Sequence, residues 1–489
     1  MTSLDRRRSG VLLHPTSLPQ AQSHGALGAS ARRFVDLIAD AGFTVWQMLP
    51  IGPVDASGSP YLSRSVHAGS AELIDLEDLA THGWLRAEPG PGAGEPAAHF
   101  RARKLLEALI GFENQAGASV RQDFESFLAA HRQWLLDDGL FLALKAQHQG
   151  RPWWQWAPEL RDREPRAIAD AQTRHAPAVD QFVFEQYLFH SQWQALRAHA
   201  RNRGVLLFGD IPIYVAHDSV EVWAHRAFFQ LDSAGQPVAI AGVPPDYFSA
   251  EGQVWGNPLY DWSALQRDGF AWWVARLATQ LERFDLLRID HFRGLESYWA
   301  IPGGAKTGKD GEWRPAPGAK LLERLATAFG KLPVVAEDLG VITPEVERLR
   351  DGFDLPGMRI LQFAFDGSAT NPYLPHNHVR NCVVYTGTHD NDTTRGWSDA
   401  LDANTRRHVA DYFGVAGDAL PRALMRSALG SVARLAVVPL QDLLGLDSRA
   451  RMNTPATTRG NWTWTFSWEQ LPAGFSAEWR HMNLLYGRA

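Results

Sequence analysis

Residues 286–291 read Leu286-Leu287-Arg288-Ile289-Asp290-His291, a short apolar run that ends in ionisable side chains. Its apolar residues are continuous rather than strictly alternating, the pattern of a parallel strand buried on both faces. Seven further runs have the same form, at 11–13, 44–49, 205–208, 334–336, 358–363, 383–385 and 435–440. With 286–289 they supply the eight strands that close a (β/α)8 TIM barrel. Several of the stretches between them carry helical spacing. Residues 31–39 put Phe34, Val35 and Ile38 on one face, and 320–329 do the same with Leu321, Leu322, Leu325 and Phe329.

Two gaps are much longer than one helix. Between the second and third runs, residues 75–200 show amphipathic stripes through Phe124, Phe127, Leu128 and Leu135, then through Phe182, Phe189, Trp193 and Leu196. After the third run, residues 210–270 are aromatic and rich in turns, as an active-site lid is. The expected organisation is a catalytic barrel from 1–74 and 201–489, a helix-rich insertion at 75–200, and a lid with extra structure over the mouth at 210–270. A doubly wound open sheet would also alternate strands with helices, but it asks for a Gly-rich phosphate loop after the first strand. His14-Pro15-Thr16-Ser17-Leu18-Pro19 stands there instead.

Composition narrows the partners. Lys and Arg number 48 against 54 Asp and Glu, a net charge of −6, so no basic surplus exists to neutralise a nucleic-acid backbone. The single cysteine, Cys382, excludes an intrachain disulfide and lies in an apolar run, where an inert buried thiol is expected. Arg6-Arg7-Arg8 precedes an apolar stretch too short for a secretory signal, and no run is long enough to span a membrane. A soluble cytoplasmic protein is expected. The 19 Trp and 24 Phe tilt the substrate towards sugars, whose C–H faces stack on aromatic rings.

Barrel active sites form at the carboxyl ends of the strands. Three runs end there in carboxylates, at Asp290, at Glu337-Asp338 and at His389-Asp390. A lone acid at a strand end is ordinarily a helix cap. Three acids on three strands, one with an arginine two residues before it, fit glycosidic cleavage better. That reaction needs one ionised carboxylate to attack the anomeric carbon and a second that gives a proton and takes one back. Arg288 shares a face with Asp290 and favours its charged form. Glu337 beside that negative charge holds its proton more tightly, as a general acid must. Asp338 points the other way and is assigned no role. Asp390 is placed to grip hydroxyls and support developing positive charge, with His291 and His389 as neutral neighbours. Neither a His/Cys cluster at ligand spacing nor a calcium-loop pattern is present, so no cofactor and no obligatory metal are expected.

Residues 287–294, Leu-Arg-Ile-Asp-His-Phe-Arg-Gly, resemble the nucleophile strand of the α-amylase clan. Within the clan the chain is most similar to the 4-α-glucanotransferases of the amylomaltase, or disproportionating-enzyme, type. Val335-Ala336-Glu337-Asp338-Leu339-Gly340 looks like that family's acid/base strand, Thr388-His389-Asp390-Asn391 like its third carboxylate, and residues 208–213 like the strand bearing another aspartate. Residues 242–248 and 252–258 resemble the lid over the donor site. The resemblance extends from 12–18 to Arg451-Met452-Asn453. It implies Asp290 as nucleophile, Glu337 as acid/base and Asp390 as transition-state carboxylate, supported by Arg288, His291 and His389. It also implies sugar contacts at Tyr61, Asp210, Asp246, Tyr247, Phe248 and Trp255. The expected partners are maltooligosaccharides and α-1,4-glucans. The expected reaction is transfer of a glucan segment to an acceptor 4-hydroxyl, with a hydrolase on the same carboxylates as the alternative. Three departures concern acceptor contacts and loops rather than the acids: Leu62 for the usual glutamine, Ala68-Gly69-Ser70-Ala71 without Gly-Asn-Pro, and Ala456 where glycine is usual.

Overall fold

The computed structural model describes residues 4–19, 25–55, 57–88, 90–245 and 250–489. Twelve strands occur among them. In chain order they are β1 (Arg8–Leu12), β2 (Val45–Gln47), β3 (Leu206–Pro212), β4 (Ala239–Val243), β5 (Gln253–Pro258), β6 (Leu286–Asp290), β7 (Ser297–Pro302), β8 (Glu312–Pro315), β9 (Val334–Ala336), β10 (Gly357–Ile360), β11 (Cys382–Tyr385) and β12 (Leu435–Pro439). Eight form one parallel sheet in the order β10-β11-β12-β1-β2-β3-β6-β9. The seam between β9 and β10 is bridged by the Ala336 N–H, which donates to the Pro356 carbonyl at 2.9 Å, so the sheet closes on itself. This is the expected (β/α)8 barrel.

The barrel interior is filled by side chains from all eight strands, among them Leu12, Val45, Phe208, Leu286, Val335, Met358, Val383 and Leu435. Residues alternate in and out along each strand. On β6, Leu286 joins that interior cluster while Leu287 and Ile289 pack outward against the helices. Arg288 and Asp290 therefore share the inward face with Leu286. On β9, Val335 points in and Val334 and Ala336 point out, so Glu337 follows inward and Asp338 outward. The helix Ala29–Asp40 buries Phe34, Val35 and Ile38, and Gly318–Phe329 buries Leu321, Leu322 and Leu325.

Several run boundaries differ from the sequence expectation; β1 begins at Arg8 and β2 ends at Gln47. The third run continues through Gly209 and Asp210 to Pro212. The sixth stops at Ile360, and Leu361–Phe363 curl into a 3-10 turn. Between β2 and β3 the chain builds the long helices Ala97–Gln115, Ala118–Gln147 and Ala176–Asn202, with shorter ones between the last two. Phe124 and Phe127 of one long helix meet Tyr187 of another, with ring centroids 5.3 and 5.9 Å apart. A second sheet, not anticipated from sequence, is antiparallel in the order β5-β4-β7-β8. Half of it comes from the stretch before β6 and half from the stretch after. Cys382 is buried on β11, and burial pushes its thiol up to about 11, as suits an inert side chain.

Candidate active site

Strand register sets the first contacts. Asp210 on β3 pairs with Arg288 on β6, and Pro212 with Asp290. With these side chains turned inward, the Arg288 guanidinium donates to Asp210 Oδ2 at 2.5 Å and to Asp290 Oδ1. One arginine thus joins two carboxylates. Asp210 is fully buried and Arg288 nearly so, whereas Asp290 is 29% exposed towards the mouth. Burial pushes the Asp210 carboxyl up to about 6, with the guanidinium opposing a further rise.

The network continues to the far side of the mouth. The Tyr61 hydroxyl donates to Asp210 Oδ2 at 2.7 Å and lies 3.2 Å from Arg288 Nη1. It also sits 2.9 Å from His389 Nε2. A phenol has one proton, so with that proton on Asp210 the histidine must donate, which places the His389 proton on Nε2. Burial holds His389 below the usual imidazole range, so it is neutral. The Tyr61 and His389 rings stack at 5.3 Å. His389 Nε2 lies 3.4 Å from Asp390 Oδ2, and Asn453 Nδ2 donates to Asp390 Oδ1 at 2.6 Å. Polar contacts therefore run without a break from Asp290 through Arg288, Asp210, Tyr61 and His389 to Asp390.

Glu337 is held by backbone. The His291 N–H donates to Glu337 Oε2 at 2.6 Å, and the Leu339 N–H donates to Oε1 at 3.0 Å. His291 adopts φ +52, a left-handed conformation uncommon for a residue with a side chain, directly after Asp290. Burial, then the negative charge of Asp290, pushes Glu337 up to about 8 against the opposing pull of Arg288 and both N–H donors. The carboxyl thus carries a proton at neutral pH. Burial lowers His291 to about 3, so its ring is neutral, and its Nε2 is buried with no protein partner. Trp255 on β5 packs edge-on against that ring at 4.8 Å, bringing the second sheet to the site. The neighbouring Asp338 faces outward, where it takes the Arg350 guanidinium and the Met358 N–H, a structural role.

Of the site residues expected from sequence, Asp290, Glu337, Asp390, Tyr61, Asp210, Trp255, Arg288, His291 and His389 converge at the carboxyl ends of the barrel strands. Asp246, Tyr247 and Phe248 lie outside the described residues. Three neighbours were not singled out as site residues. Asn453 fixes Asp390. Trp462 packs 6.0 Å from both Tyr61 and His389, in a loop with no periodic signal. His14, just past β1, lines a small cavity with His389 and Arg451. Its place at a strand end was the signal that could have found it.

A family model described as 4-alpha-glucanotransferase matches residues 13–470. The 4-alpha-glucanotransferase of Synechocystis sp. is 47% identical over 99% of both chains. That of Thermus thermophilus is 48% identical over 96% of both. Among solved structures, the amylomaltase from Streptococcus agalactiae in complex with acarbose superposes with a TM-score of 0.93 at 34% identity, covering 99% of this chain and all of that one. With a family match over most of its length and relatives close to half identical end to end, this chain belongs to the 4-alpha-glucanotransferase family.

Proposed function

We propose that Asp290 is the nucleophile, Glu337 the acid/base and Asp390 the carboxylate that supports the transition state in transfer between α-1,4-glucans. The observation that carries this reading is the His291 N–H bond to Glu337 Oε2. It locks the proton-bearing carboxyl to the residue that follows the attacking one, so the two acids of a double displacement sit side by side. Glu337 gives its proton to the glycosidic oxygen as the bond to the anomeric carbon breaks. Asp290, ion-paired with Arg288, forms the new bond to that carbon. The leaving fragment departs with the proton. An acceptor then enters, its 4-hydroxyl proton passes to Glu337, and its oxygen displaces Asp290 with net retention.

The substrates in this reading are maltooligosaccharides and longer α-1,4-glucans, the acceptor being a glucan or glucose. His291 Nε2, unpartnered in the protein, suits a sugar hydroxyl. Tyr61, Asp210 and His389 hold the subsite next to the nucleophile, and Trp255 offers an aromatic face. By the resemblance, Asp246, Tyr247 and Phe248 contact the donor and keep water out, which favours transfer over hydrolysis. Membership of a transferase family points the same way. Among the described residues no helix is long and apolar enough to cross a membrane, and a cytoplasmic location suits the lone cysteine. Incubation with maltotriose tests the proposal: a ladder of longer oligomers with glucose released is expected, with the α-anomer retained in the products. Shortening to maltose and glucose without a ladder would replace transfer by hydrolysis. Substantial turnover by Asp290→Asn would remove that residue as nucleophile.

A further inference from the structure

We propose that His131, His190 and Glu282 form a transition-metal site, suited to Zn²⁺, that ties the helical insertion to the barrel. Among the described residues they are the one group of three His, Cys, Asp or Glu side chains whose ligand atoms all lie within 4.8 Å of one another. They come from three helices. His131 lies on Ala118–Gln147 and His190 on Ala176–Asn202, both in the insertion, while Glu282 lies on Ala271–Arg283, which leads into β6. Glu282 Oε1 is 3.6 Å from His131 Nε2 and 3.7 Å from His190 Nδ1. Tetrahedral zinc with bonds of about 2.1 Å sets its ligand atoms roughly 3.4 Å apart, so both Glu282 distances are within a few tenths of an ångström of that spacing, and the two imidazole nitrogens lie within 4.8 Å of each other.

Several features prepare the three groups. The Phe127 ring lies 4.8 Å from the His131 ring and 5.0 Å from the His190 ring, which fixes both imidazoles on one wall. Their side chains are 18% and 30% exposed and that of Glu282 is 35% exposed, so an ion can enter and water can complete its shell. Two imidazoles and one carboxylate select zinc-like ions over calcium or magnesium. One contact opposes the site. The Trp134 indole N–H donates to His131 Nδ1 at 3.4 Å, whereas coordination through Nε2 moves the imidazole proton onto Nδ1. The indole must then turn away, and Trp134→Phe should bind the ion more tightly. Glu282 stands at the amino end of β6 and Asp290 at its carboxyl end, so the ion would hold the insertion in place without touching the reacting bond.

The test uses the full chain without an affinity tag, stripped by a chelator and titrated with Zn²⁺ against a chromophoric competitor. One equivalent is expected to bind. His131→Ala, His190→Ala and Glu282→Gln should each weaken binding by about tenfold or more. Zn²⁺ should raise Tm in the parent chain and not in these variants, because an ion that binds only the folded state stabilises it. Turnover of maltotriose by the stripped protein should equal that of the loaded one. Should one variant fail to fold, the other two still decide. Absence of a stoichiometric site, or binding equally tight in the folded variants and the parent, would overturn the proposal.

Discussion

The two sides of the barrel mouth are built differently. On the β3, β6 and β9 side, Asp210, Arg288 and Glu337 are set by strand register, ion pairing and backbone donors, and Asp210 has no exposed side-chain surface. On the other side Asp390 follows β11 in a loop and is 46% exposed. A second loop holds it: Asn453 binds its carboxylate and Arg451 its carbonyl. In that second loop Ala456 and Trp462 adopt φ +65 and +64. The β3, β6 and β9 side is thus fixed by the protein's own register and hydrogen bonds. The Asp390 side depends on loops, one of them strained.

The largest effect is expected on the fixed side. Glu337→Gln should lower kcat on maltotriose by about 10³-fold or more, the scale of a lost general acid. On the loop side, Asn453→Ala should lower kcat about tenfold to a hundredfold by freeing Asp390 from a hydrogen bond to a charged group. A loss as large as that of Glu337→Gln would erase the contrast between the sides. The pH dependence sharpens it. Glu337 must be protonated to act as acid, so kcat/KM should fall as pH rises through about 8. The same carboxyl ionises at an ordinary carboxylate pKa in the unfolded chain. Between about pH 4.5 and 8 the folded state therefore binds the extra proton, and rising pH costs stability. Glu337→Gln lacks that penalty, so its Tm advantage over the parent should widen from about pH 5 to 8; a constant gap would mean Glu337 is not held protonated. The smallest effect belongs to the strained loop. Ala456→Gly relieves a left-handed alanine and should stabilise by about 1 kcal/mol in urea unfolding, with kcat unchanged.

The barrel was legible because strands buried on both faces leave continuous apolar runs, and the site was legible because alternation along Leu286–Asp290 fixes which side chains face inward. The same parity separated Glu337 from Asp338. At β3 the sequence misleads: Gly209, Asp210 and Pro212 look like a strand breaking up, yet the strand continues because Arg288 and Tyr61 satisfy the buried acid. The second sheet was hidden because its central pair, β4 with β7, joins segments on either side of β6, a pairing that no local pattern announces. Asn453 and Trp462 reach the site only through the fold. The alanine departure at 456 was visible in sequence, but the positive φ that gives it meaning was not.

The order β5-β4-β7-β8 also has a consequence in time. During synthesis β4 and β5 leave the ribosome first and can pair as a hairpin, but the second edge of β4 has no partner until β7 follows. The helix Ala271–Arg283 and β6 emerge in that interval. A nascent chain paused there holds an open strand edge beside unassembled barrel strands, an invitation to pair with a neighbouring chain. The segment that completes the second sheet is therefore one whose late arrival exposes the growing protein to misassembly.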